Sequence, residues 1–60
     1  MNLRIEVSLD NAAFDPDWQD EAARILRELA ENIHGGFPRG LWDGNGNKVG
    51  TAKLTGVQHV

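Results

Sequence analysis

Leu41-Trp42-Asp43-Gly44-Asn45-Gly46-Asn47-Lys48-Val49 is the stretch that decides the fold. Asn-Gly flanked by strand-like residues is the strongest short-range hairpin signal, because glycine reaches the positive φ of a tight turn at no steric cost. A hairpin over about residues 41–55 follows, turning at Gly44–Asn47 and returning through Lys48–Thr55. The returning strand alternates Val49, Thr51 and Lys53 against Gly50, Ala52 and Leu54. Ala52 and Leu54 are read as inward, where small residues let a helix approach closely, although Val49 argues for the other face.

Upstream of the hairpin, Gly35 to Gly40 is a Gly/Pro-rich connection in which Pro38 holds Phe37 extended. Before it lies an amphipathic helix over about residues 16–34. Asp15 is the expected N-cap, Pro16 fits the first helical position, and Asp17, Asp20 and Glu21 suit the positive end of the helix dipole. Trp18, Ala22, Ile25, Leu26, Leu29 and Ile33 recur at spacings of three and four and form one apolar stripe. Asp20–Arg24, Arg24–Glu28 and Arg27–Glu31 are spaced for ion pairs on the outer face. His34 falls in the last turn, and Gly35-Gly36 supply a left-handed stop. Earlier still, Leu3-Arg4-Ile5-Glu6-Val7-Ser8-Leu9 alternates apolar and polar residues without a fault, a half-buried strand over about 3–9. Asp10–Ala13 is a turn, with Phe14 anchoring the loop to the core.

Strand, helix, hairpin in 60 residues reads as a single α+β domain, βαββ, spanning residues 1–60. One amphipathic helix packs on a three-stranded sheet, antiparallel and in spatial order 1-3-2. A domain of this size buries only about 60 % of its unfolded surface. With two sheet edges unpaired, a homodimer is expected, or a monomer that completes itself on its target. Gly56–Val60 reads as a frayed tail, or as a strand end that orders on a partner.

The residues exclude most chemistry. No cysteine means no disulfide, thiolate cluster or thiol nucleophile, and no apolar run is long enough to span a membrane. Read as a calcium loop from Asp43, the chain places Lys48 and Leu54 where an EF-hand needs Gly and Glu. Ser8 lies in a strand without a nucleophile elbow, and Gly44-x-Gly46 leads into a strand rather than a phosphate-binding helix N-terminus. His34 and His59 lack the companions of a metal site. No enzyme, metal or cofactor is expected.

Charge is distributed unevenly. Residues 10–31 carry seven acids against two bases, a segment charge of −5 within a total of −3. Nucleic acid is therefore disfavoured as a partner, since phosphate neutralisation dominates such binding. The acidic helix face, Asp17, Asp20, Glu21, Glu28 and Glu31, is the expected surface for a basic protein partner. Phe37 and Trp42, beside the glycine-rich connection, are candidate aromatic contacts. Two other readings stand: a dimeric nucleic-acid module using Arg4, Arg39, Lys48 and Lys53, and a structural component assembling through open sheet edges.

Asp10-Asn11-Ala12-Ala13-Phe14, Ala23–Ala30 and Asp43-Gly44-Asn45-Gly46-Asn47-Lys48-Val49-Gly50 together resemble short bacteriophage and prophage proteins with a DNAAF…ARILRELA…NGNKVG pattern, over residues 9–50. The resemblance implies a small accessory protein made in the bacterial host cytoplasm. Many such proteins are acidic inhibitors of host defence, including anti-CRISPR proteins, and it implies a host protein target, a nucleic-acid-handling defence complex. It brings no catalytic residue with it.

Overall fold

A computed structural model of the chain describes residues 1–56. Strand β1 (Asn2–Val7) leads through a 3₁₀ turn at Ala12–Phe14 to helix α1 (Trp18–Glu31), followed by strands β2 (Arg39–Trp42) and β3 (Lys48–Thr55). The sheet is wholly antiparallel with order β1-β3-β2, so the expected βαββ architecture and strand order hold. The expected tail at 57–60 lies outside the described residues.

Element boundaries differ from the sequence expectation for local reasons. Asp17, not Asp15, caps the helix: its backbone is extended and its carboxylate accepts the Gln19 N–H at 3.0 Å. Pro16 therefore precedes the cap. At the other end the helix stops at Glu31 rather than 34, and neither Gly35 nor Gly36 takes a positive φ. Asn32 ends it instead. Its side-chain amide donates to the Glu28 carbonyl at 2.8 Å, and its own carbonyl receives Gly35 N–H at 2.9 Å and the Arg39 guanidinium at 2.6 Å. Carbonyls left over at a helix end are satisfied here by side chains as well as by the turn.

The core is small: Phe14, Ile25, Leu29, Leu41, Val49 and Ala52, with Val7 and Phe37 packed against it. Register explains how Val49 and Ala52, three residues apart on one strand, both reach it. Leu41 pairs with Gly50 and Trp42 with Lys48, so β3 carries one extra residue at that point. Such a bulge breaks the two-residue alternation and turns Val49 toward the helix. Both earlier assignments for β3 thus hold in part: Ala52 faces inward by alternation and Val49 by the bulge.

Leu3, Ile5 and Val7 lie opposite Leu54, Ala52 and Gly50 on that same helix-side face. Helix α1, however, packs over β2 and the 3₁₀ turn. Leu3, Ile5 and Leu54 stay about 40 % exposed as a result. Trp18, expected in the core, is 49 % exposed, and Leu26 and Ile33 are exposed as well. At 100° per residue Leu26 turns away from the flank bearing Glu21 and Glu28, which faces β2 and the hairpin loop; Trp18 shares the angle of Ile25 and Leu29 but opens the helix, and Ile33 lies past its last residue. The apolar stripe is wider than the sheet beneath it.

Candidate functional site

Seven residues were expected to form the binding surface, and the fold sorts them into four groups. Asp17 is occupied as the helix cap, leaving Asp20 and Glu31 as exposed acids with no hydrogen-bond or ion-pair partner among the described residues. Glu21 and Glu28 converge on Arg24: the guanidinium Nε and Nη2 donate to Glu21 at 2.8 and 3.1 Å, and Nη1 donates to Glu28 at 2.9 Å. Phe37 is half-buried against the core, whereas Trp42 is 54 % exposed.

Glu21 does more than pair. Its second oxygen accepts the Gly44 N–H at 2.6 Å, and Arg24 donates to the Trp42 carbonyl at 3.2 Å. Helix and hairpin loop are thereby locked together across 23 residues of sequence. Glu21 is one of the less exposed groups on the helix, so its part is to hold the loop rather than to face a partner.

Beside this clamp sits Asp43, the one buried charged residue among the described residues, 5 % exposed. One carboxylate oxygen accepts Asn45 and Asn47 backbone N–H groups, both at 2.9 Å. The other accepts the side-chain amides of Asn11 at 3.1 Å and Asn47 at 3.3 Å. A carboxylate taken from water needs such donors, and here four are supplied. Positive φ at Gly46 completes the turn. The Asn11–Asp43 bond joins the loop after β1 to the hairpin. Two of the three quoted sequence pieces therefore meet in space, as parts of one loop-anchoring node.

Both carboxyls are held below their ordinary range. For Glu21 the chief cause is the Arg24 hydrogen bond, then the Gly44 N–H; for Asp43 it is the Asn47 N–H, then Asn11 and Asn47 side chains. Glu21 and Glu28 in turn push Arg24 further up. A carboxyl whose pKa is lower folded than unfolded stabilises the fold fully above the unfolded value and loses that contribution as pH falls through the folded one. Acid titration followed by circular dichroism is thus expected to show stability falling below about pH 4. Asp43→Asn should flatten that dependence; an unchanged curve would show that this carboxyl does not report on folding.

Between α1 and β2 lies a groove of about 210 Å³, floored by Ile25, Leu29 and Leu41 and rimmed by Glu28 and Arg39. Small-molecule pockets run from about 300 Å³ upward. Among the described residues no three metal-ligating side chains are grouped. His34 is exposed past the helix end; His59 lies outside the described residues.

The sheet's other face carries the opposite charge. Arg4, Lys53, Glu6, Thr51 and Gly40 lie on the side away from the helix by alternation. A Cβ placed on Gly40 would stand 3.4 Å from the Trp42 Nε1 and 3.3 Å from the Lys48 Cε, so that indole and ammonium stem flank it. Arg39, grouped with these bases in the sequence reading, instead pairs across from Ala52 and reaches the helix end, because Asn32 offers it a carbonyl. Sequence reasoning missed Asp43 as a structural centre, although Asn-rich spacing after an Asp is the signal of a side-chain-capped loop. Comparison with protein-family models, curated proteins and solved structures finds no match to this chain.

Proposed function

We propose that the chain is a non-catalytic binding protein of the phage accessory kind, which occupies a basic, nucleic-acid-binding surface of a host defence protein with its acidic helix layer. The observation that carries this is the separation of charge between the two layers. Residues 15–31 hold six acids and two bases, and Arg24 is already engaged by Glu21 and Glu28. The open sheet face holds Arg4, Lys48 and Lys53 against Glu6. Such a dipolar molecule orients in the field of a charged partner and presents its helix to positive potential. The surface for contact is Asp20, Glu28 and Glu31, with Glu21 withdrawn into the loop clamp.

The test is capture of host proteins from bacterial lysate by tagged chain, with and without nuclease. Asp20→Lys combined with Glu31→Lys should abolish a nuclease-resistant partner while leaving the fold intact, since neither side chain makes a hydrogen bond or ion pair among the described residues. Binding that survives this charge reversal would refute the reading. Trp42 beside Lys48 on the open face supports a second reading, stacking of a single-stranded nucleic acid. A change in indole fluorescence on adding oligonucleotide at low salt, lost in Trp42→Leu, is its expected sign; no response would remove it.

A further inference from the structure

Strand β1 has an outer edge that no other strand covers among the described residues. Which backbone groups it presents follows from register. Ser8 N–H donates to the Val49 carbonyl at 2.7 Å, in step with the Glu6↔Thr51 and Arg4↔Lys53 pairs. In an antiparallel ladder each residue sends both backbone groups to the same side, and successive residues alternate sides. Asn2, Arg4 and Glu6 therefore address β3, whereas Leu3, Ile5 and Val7 turn N–H and C=O outward. The opposite edge of the sheet is blunted. Strand β2 has four residues, follows Pro38, meets the bulge, and has its Trp42 carbonyl taken by Arg24. Among the described residues no proline, bulge or capped carbonyl protects β1.

We propose that two copies of the chain pair through this edge, β1 antiparallel to β1 and centred on Ile5, to make one continuous six-stranded sheet. Opposed residues then share a face, and the sequence is self-complementary about that centre. Met1 meets Leu9 of the second copy, Asn2 meets Ser8, Leu3 meets Val7, Arg4 meets Glu6, and Ile5 meets itself. All the outward backbone groups of Leu3, Ile5 and Val7 find reciprocal partners in this register. Neighbouring registers are penalised: centring on Arg4 opposes two arginines, and centring on Glu6 opposes two glutamates.

Charge within the chain favours the same arrangement. Arg4 lies directly opposite Lys53 on β3, a like-charge pair that costs free energy. In the dimer Glu6 of the second copy flanks Arg4 from the other side and offsets that repulsion. On the helix-side face, exposed Leu3 and Ile5 of both copies come together, with opposed Cβ atoms about 5 Å apart.

Sedimentation equilibrium over micromolar to near-millimolar concentration tests the proposal. Wild type should approach twice the 6.6 kDa chain mass. Arg4→Glu alone and Glu6→Arg alone should each weaken association about tenfold or more, because both symmetry-related ion pairs become repulsive. Mixing R4E with E6R in equal amounts should restore the dimer, since each chain then opposes the other's charges. The double variant R4E/E6R should restore self-association, and it carries the test if a single variant loses its helical dichroism. A wild type that stays monomeric, association indifferent to both single variants, or a mixture that fails to recover would each overturn the proposal.

Discussion

Gly50→Ala is expected to cost the domain about 3 kcal/mol or more, from the addition of a single methyl group. A Cβ at Gly50 would collide with the Glu6 carbonyl and stand 2.9 Å from the Val7 Cα. Both obstacles are backbone, so no rotamer change relieves them. Strands β3 and β1 approach closely here, and only a residue without a side chain allows that approach. Relief requires β1 to move off β3, which would undo the ladder that holds β1 to the sheet. Urea midpoint or Tm measures the loss. Gly36→Ala is the matched control, because nothing lies within 4 Å of its added Cβ and its φ is ordinary. That variant should be unchanged or slightly more stable through a less flexible unfolded chain. Equal effects at the two positions would contradict the close approach.

Phe14→Ala should be the most damaging truncation in the core, at about 3–5 kcal/mol. Phe14 is 2 % exposed and sits between helix and sheet, at the end of the 3₁₀ turn that α1 packs against. The core has five other buried members, one of them an alanine, so little can slide into the space left. Total stability for a chain of this length is roughly 3–9 kcal/mol. The variant should therefore show little native dichroism near 37 °C, whereas Phe14→Leu should retain a cooperative transition at a lower Tm. Native stability in Phe14→Ala would mean that the loop after β1 contributes nothing to the core.

How far these features were legible in the sequence depends on their range. Alternation over Leu3–Leu9, the helical spacing of Ile25 and Leu29, and the Asn-Gly turn are local signals, and the elements they imply are present in the expected order. Val49 was ambiguous because a bulge changes the parity of a strand without altering its composition. Trp18 was misplaced because periodicity defines an apolar stripe but not how much sheet lies beneath it. Glu21 looked like any outward acid, since its true partner, the Gly44 N–H, arrives from a loop 23 residues away. Phe14 was legible as an anchor because a lone large apolar residue in a polar turn has little else to do. For the binding surface, the sign of the charge could be read from the chain, but not which acids the fold would consume.

The two indoles give the molecule an unusual optical character. Trp18 and Trp42 are each about half exposed, and the core holds no tryptophan. Native emission should already resemble that of an indole in water, and a soluble quencher should reach both rings without unfolding. Fluorescence will be a poor gauge of folding for this chain and a good one of contact. One ring begins the helix and the other lies on the open side of the sheet, so a Trp→Phe variant at either position leaves a reporter dedicated to a single layer.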